Sequence, residues 1–165
     1  MSSGWLARLM APAPMADWSE AYRSEAGLAR RHNTRGFLLA LYAALEIPRD
    51  NKMGRMMWFA KNFRAFEAPV LMLIHTPRYM GPPQWSDMGM WLQSVMLLLV
   101  EQGLASCPQE CWAMYGETVR KTLGLEDGQI LFSGLAIGYA DDAKPVNQGP
   151  VPRVGIDEAI EWQGF

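Results

Sequence analysis

The amino-acid sequence predicts an α+β fold in which helices pack against a small sheet. Two short apolar runs bounded by turn residues, PVLMLIHT and GQILFSGLAIGYA, are typical of strands. Several longer segments place apolar residues at helical spacing, and they do not alternate regularly with the strands. The chain has 165 residues, of which 50% are hydrophobic and 19% charged, as in one globular domain. We expect an irregular segment over residues 1–17 and the domain over residues 18–165.

Three helices are predicted before the first strand. A helical pattern begins near Asp17, and a second helix is expected from Thr34 to Leu45. A third helix follows, for which Asp50 or Asn51 supplies the N-terminal cap, because short polar side chains accept hydrogen bonds from the first turn. Its apolar residues are Met53, Met56, Met57, Phe59, Ala60 and Phe63.

The middle of the chain contains its most apolar segments. The run from Pro69 to Thr76 predicts a strand that is buried on both faces. After the turn RYMGPPQW, a helix capped by Ser86 or Asp87 is expected to end near Gly103. Its stretch from Met88 to Val100 is hydrophobic nearly all round but too short to span a bilayer, which takes about 20 residues. We therefore expect this helix to be buried in a dimer interface.

The remaining predicted elements follow the apolar helix. Ala105–Ser106–Cys107 is expected to be extended, and a helix from Glu110 is expected to end before Gly124. The second clear strand runs from Gly128 to Ala140. The proline-containing tail from Asp141 to Phe165 is expected to lie extended over a surface.

Charge and cysteine content exclude some classes of protein. A net charge of −2 argues against a nucleic-acid-binding protein, which needs an excess of Lys and Arg. Neither a secretory signal nor a membrane-spanning segment is expected. The two cysteines are therefore predicted to be reduced thiols in a cytoplasmic protein.

Cys107 and Cys111, in the segment GLASCPQECW, raise three possible chemistries. A zinc site would also need His32 and His75, and the four residues have no ligand spacing signature. A redox pair usually has two residues between its cysteines rather than three. A Cys nucleophile would need a base that nothing nearby supplies.

The backbone of this segment gives another possibility. A helix start leaves N–H groups without intrahelical partners, so Gln109, Glu110 and Cys111 could donate to an electron-rich ligand. Water or a side chain could instead satisfy these donors, and local physics alone favours this second possibility without excluding the first.

The segment PRYMGPPQWSDMGMWLQSVMLLLVEQGLASCPQECWAMYGETVRKTLGL resembles the nitroreductase family of FMN-dependent, NAD(P)H-using flavoproteins. GLAIGYADDAKPVNQGPVPR and DEAIEWQGF resemble the C-terminal part of that family, and LYAALEIPRDN and NFRAFEAPVLMLI resemble upstream parts. The resemblance extends from about Trp18 to Phe165. MGPPQWSD, GLASCPQE and AIGYAD in this order make it specific.

The resemblance implies a homodimer of α+β subunits, each with a small mixed sheet flanked by helices and a long apolar helix at the interface. FMN is expected at that interface, with the turn after a strand near the N5 and O4 atoms of the flavin. The implied cofactor-binding residues are Pro108, Gln109, Glu110, Cys111 and, for the phosphate, Arg153. The implied substrate-side residues are Met80, Gln84 and Trp85.

The implied activity is hydride transfer from NAD(P)H through flavin to a nitroaromatic, quinone or similar acceptor. The sequence departs from the family because it contains neither an Arg-Ser-x-Arg-like motif nor a stretch ending in Gln-Pro-Trp. Gln148 and Pro150 also stand where basic residues are common, which would weaken FMN binding. A truncated, non-catalytic relative that dimerises but binds FMN weakly or not at all is therefore the alternative. A thiol-redox protein using Cys107 and Cys111 is a third hypothesis.

Overall fold

The computed structural model describes residues 36–148 and 155–164. The predicted domain boundary, the helix near Asp17, and Arg153 lie outside the described residues. The described helices are α1 over residues 36–44, α2 Lys52–Ala60, α3 Pro82–Glu101, α4 Gly116–Leu123, α5 Pro145–Gln148 and α6 Ile156–Ala159. The strands are β1 Val70–Pro77, β2 Ala105–Gln109 and β3 Gln129–Gly138, and 3-10 helices span Lys61–Glu67 and Glu110–Tyr115.

The three described strands form a sheet in the order β1-β3-β2. Both outer strands are antiparallel to β3, with Val70 opposite Ile137 and Cys107 opposite Ala136. The α+β fold with a small sheet flanked by helices is therefore confirmed. The sheet was expected to be mixed, but its described pairings are all antiparallel. The reason is that β1 and β2 run in the same direction with β3 between them, so they do not pair with each other.

Strand β1 has the predicted position but not the predicted burial. Ile74 and Thr76 are buried, whereas Val70 is 50% exposed and His75 is also exposed. The prediction of burial on both faces was wrong because successive side chains of a strand point to opposite faces, and only the face of Ile74 and Thr76 is covered at this end of β1. The His75 ring lies at the surface, with its Nδ1 3.1 Å from Gln129 Oε1.

Helix α3 packs across the sheet and forms the main core with it. The buried strand residues Ile74, Leu135 and Ile137 contact one side of the helix. The helical residues packed against them are Met88, Leu92, Val95, Met96 and Leu99. The opposite side leaves large apolar side chains exposed in the single chain. In the described part of the chain, no helix is long and apolar enough to span a membrane.

Helix α3 begins at Pro82, before the predicted caps Ser86 and Asp87. Proline is favoured in the first turn because that position needs no backbone donor. Gln84 Oε1 also accepts a hydrogen bond from the Gly81 N–H at 3.0 Å, which completes the start of the helix. Part of the predicted MGPPQW turn is therefore the first turn of α3.

Helix α2 confirms Asn51 as the cap, since Asn51 Oδ1 accepts the Gly54 N–H at 2.8 Å. The α-helix ends at Ala60 and passes into the 3-10 helix Lys61–Glu67. Within it Ala65, Phe66 and Glu67 have φ angles of 50°, 52° and 65°. This left-handed conformation costs non-glycine residues roughly 1–2 kcal/mol each. The segment leads directly into β1 and places Asn62 and Phe63 near the end of β2.

In the C-terminal half, the observed strand agrees with the predicted one, whereas the observed helices differ from the prediction. The predicted helix from Glu110 is a 3-10 helix as far as Tyr115 and an α-helix only from Gly116. Gly124 ends it with a φ of 66°, as expected of a C-terminal glycine. The predicted extended tail contains the two short helices α5 and α6.

Candidate cofactor site at the end of strand β2

The candidate site lies where β2 ends and the 3-10 helix Glu110–Tyr115 begins. Gln109 is the last residue of the strand and pairs with Gly134 of β3. A 3-10 helix has three residues per turn, so residues three apart lie above one another. Gln109 and Trp112 are separated in this way, and their side chains meet. Glu110 and Cys111 lie between them.

The Gln109 side chain points into the protein, where it is only 1% exposed. Its Nε2 donates to the backbone oxygen of Asn62 at 2.9 Å and lies 3.4 Å from Asn62 Oδ1. Its Oε1 accepts from Trp112 Nε1 at 3.3 Å. Because the carboxamide is engaged inside the protein, any cofactor contact of Gln109 must use its backbone.

Aromatic side chains fill the space behind this turn. The Phe63 ring lies edge-on to Trp112 at a centroid distance of 5.4 Å and to Tyr115 at 5.3 Å. Trp112 also lies against Gly134, where an added Cβ would be 2.9 Å from Trp112 Nε1. Edge-to-face packing of this kind stabilises aromatic pairs. The cluster therefore anchors the start of the 3-10 helix to the central strand.

The two thiols do not form a reactive pair. Cys107 is exposed, Cys111 is buried, and both are free. Burial raises the pKa of the Cys111 thiol from 9.0 to about 12, and the nearby Cys107 adds to the rise. The protein around the Cys107 thiol also desolvates it and raises its pKa. Thiolate is the reactive form, so both residues are poor nucleophiles at neutral pH.

The described residues also give no support to a metal site. Across residues 36–148 and 155–164, no group of three or more His, Cys, Asp or Glu side chains is arranged so that it could hold a metal ion. His75 lies on exposed β1, and His32 is outside the described residues. The local structure is thus a strand-to-helix turn held by a buried side-chain network.

Sequence comparison places the chain in a known group of proteins. A sequence model of the Nitroreductase family matches residues 6–139, which is most of the chain. The chain belongs to the nitroreductase family.

Three relatives illustrate the similarity. The FMN and NADPH-dependent nitroreductase NfnB from Sphigopyxis sp. strain HMH, a solved structure, is 67% identical, with a TM-score of 0.80. That match covers 82% of this chain and 60% of the other. Nitroreductase NfnB from Mycolicibacterium smegmatis is 37% identical over 74% of this chain and 52% of its own length. Chloronitrobenzene nitroreductase from Comamonas testosteroni is 33% identical over 67% and 48%. The chain spans about half the length of these two curated relatives.

The residues expected on the substrate side of this nitroreductase-family chain lie near the start of α3. Met80 Sδ accepts a hydrogen bond from the buried Thr76 hydroxyl at 2.9 Å. Gln84 caps the helix with its carboxamide oxygen, and Trp85 is 37% exposed. Met80 and Gln84 are therefore held by the fold itself.

Met80 and the turn that follows β2 lie beside different positions along strand β3. Gln109 pairs with Gly134, whereas Pro77, just before Met80, pairs with Gln129. These two β3 positions are about 17 Å apart at the usual rise of a strand. Within one chain, the described structure brings Pro108, Gln109, Glu110 and Cys111 together but keeps Met80 at a distance from them.

Sequence reasoning missed Asn62, Phe63 and Trp112 as parts of this site. The spacing of three between Gln109 and Trp112 was a local signal that could have been used. Asn62 is 47 residues from Gln109, so no local pattern indicates their contact.

Proposed function

We propose that this chain acts as an FMN-dependent oxidoreductase that uses NADPH to reduce nitroaromatic or similar acceptors. The supporting observation is the 67% identity, over 82% of this chain, to a nitroreductase described as FMN and NADPH-dependent. The similarity to a chloronitrobenzene nitroreductase supports a nitroaromatic acceptor. We propose NADPH instead of NADH because the relative that is 67% identical is described as NADPH-dependent.

The turn at the end of β2 supports the proposed position of the flavin ring. The Gln109 side chain is turned inward and does not cap the 3-10 helix that follows. The backbone N–H groups of Glu110 and Cys111 are at the start of that helix, where donors suit an electron-rich ring edge. Pro108 is exposed beside them. These four residues would hold the flavin ring, and Arg153 would contact the phosphate.

When bound, FMN would take a hydride from the nicotinamide and deliver it to the acceptor. The residues of this chain would orient the ring and stabilise negative charge on it with fixed backbone donors. No acid–base side chain is required for this role. This is consistent with the raised thiol pKa values at Cys107 and Cys111, which leave both groups protonated.

We also propose that the flavin lies between two copies of the chain. Support comes from α3, whose outer side carries exposed apolar residues that water disfavours. These residues are Met90, Trp91, Leu97, Leu98 and Val100. A site shared between two copies would let Met80, Gln84 and Trp85 of one chain approach the β2 turn of the other. The free thiols and the use of NADPH favour a cytoplasmic location.

An FMN titration followed by absorbance tests this proposal. The chain should take up FMN with a shifted flavin spectrum, and NADPH should bleach it faster than NADH does. Adding chloronitrobenzene should restore the oxidised spectrum, and free FMN without protein serves as the control. A protein that takes up no FMN would instead support the alternative of a non-catalytic relative.

A further inference from the structure

We propose that Gln109 is a positioning residue for the flavin and that it acts through its buried hydrogen bonds to Asn62 and Trp112. The inference rests on the proposed function, because it concerns how the donors of the β2 turn are held. It assigns Gln109 to the protein side of the site instead of direct side-chain contact with the cofactor.

The hydrogen bonds of the Gln109 side chain determine the orientation of its carboxamide. Its nitrogen faces the backbone oxygen of Asn62 at 2.9 Å, and its oxygen faces the indole N–H of Trp112 at 3.3 Å. An amide nitrogen only donates and an amide oxygen only accepts. If the nitrogen and oxygen of the carboxamide were exchanged, two acceptors would face each other at Asn62 and two donors would face each other at Trp112. The network therefore fixes a single orientation of Gln109.

Gln109 and Trp112 each connect the turn to another part of the fold. Gln109 and Trp112 flank Glu110 and Cys111, which are the residues proposed to present backbone donors. Gln109 is tied to Asn62, and Trp112 is packed against Gly134 of the central strand. The short segment between them is thus fixed at both ends, to two different parts of the fold.

Loss of the hydrogen bonds of Gln109 would have a cost in free energy. The carboxamide is almost completely buried, and a buried polar group without a partner is costly. Removing the indole N–H of Trp112 would leave Gln109 Oε1 without its described donor, so the amide would be held only by its contacts to Asn62. The backbone donors between the anchors would then be less well placed to stabilise reduced flavin.

The test compares Trp112→Phe with Trp58→Phe. Both variants keep an aromatic ring and lose an indole N–H, but Trp58 packs against Phe66 and not against Gln109. We expect Trp112→Phe to weaken FMN binding about three- to tenfold, since one neutral hydrogen bond is lost. It should also make the reduction potential of bound FMN more negative. Trp58→Phe should change neither quantity.

Gln109→Leu is the second variant and should move both quantities in the same direction as Trp112→Phe. If it does not fold, Trp112→Phe alone decides the outcome. A Trp112→Phe protein with lower thermal stability but an unchanged flavin potential and affinity would show a merely structural role and overturn the inference. A native chain that takes up no FMN would overturn the proposed function and this inference with it.

Discussion

Trp112 packs directly against the backbone of Gly134, with no room between them for a side chain. An ideal Cβ on Gly134 would lie 2.9 Å from Trp112 Nε1 and 3.3 Å from its Cγ. The contact joins the 3-10 helix after β2 to the central strand of the sheet. Glycine is needed at this strand position for space, because the backbone here has no left-handed φ.

Gly134→Ala should therefore destabilise the protein. The bulky indole ring of Trp112 must shift to admit a methyl group, and overpacking of this kind costs about 1–3 kcal/mol. Urea denaturation would measure the loss. The matched control is Gly128→Ala near the start of the same strand, where a Cβ would meet nothing within 4 Å. Equal stability of the two variants would contradict the packing described here.

The ion pairs of α4 predict an acid-sensitive contribution to stability. Hydrogen bonds from Lys121 and then Arg120 hold the pKa of Glu117 below its usual 4.5. A lowered carboxyl pKa contributes stability above the unfolded value, and this contribution is lost as the pH falls through the folded value. Stability measured from pH 6 downwards should therefore decline below about pH 4.5. Glu117→Gln should reduce that decline, whereas Glu126→Gln, which removes a carboxylate outside these ion pairs, should leave it in place.

Alkylation of the thiols should be slow. A pKa of about 12 at Cys111, against the usual 9.0, leaves roughly a thousandfold less thiolate at pH 8. Iodoacetamide treatment of the folded protein, followed by peptide mass spectrometry, should leave Cys111 almost unmodified. Unfolding in urea should restore labelling of Cys111. Fast labelling of the folded protein would reopen the thiol-redox hypothesis.

The proposed dimer can be tested on α3. Leu97 is 61% exposed in the single chain, so a charge there has no folding penalty from burial within that chain. At an apolar interface the same charge would have to be desolvated. Leu97→Glu should weaken the dimer at least roughly tenfold in sedimentation experiments. Leu123→Glu, the same substitution at an exposed position of α4, should leave the dimer intact.

Local patterns in the sequence were sufficient for much of the fold. Apolar runs located β1 and β3, Asn51 was one of two predicted caps, and Gly124 ended α4 as expected. The start of α3 differs from the prediction because Pro82 and Pro83, which suggest a turn, begin the helix, where proline is favoured in the first turn.

The side-chain orientation in the candidate site could not be predicted in the same way. Gln109 was predicted to offer its backbone N–H to a cofactor, and no local pattern indicated that its carboxamide is held by Asn62, which is 47 residues away. The edge position of β1 was missed for a similar reason. Which strand lies between two others depends on contacts between distant segments, and local periodicity carries no information about them.

The two outer strands of the described sheet differ in how well their outer flanks suit pairing with a further strand. Pro108 interrupts β2 near its end and has no N–H to offer to a further strand. In contrast, β1 has no proline before its last residue, Pro77, and presents the apolar sequence VLMLI along its length. Among the described strands, β1 pairs only with β3. Of the two outer strands of the described sheet, β1 therefore has the flank better suited to edge-to-edge pairing with a further strand.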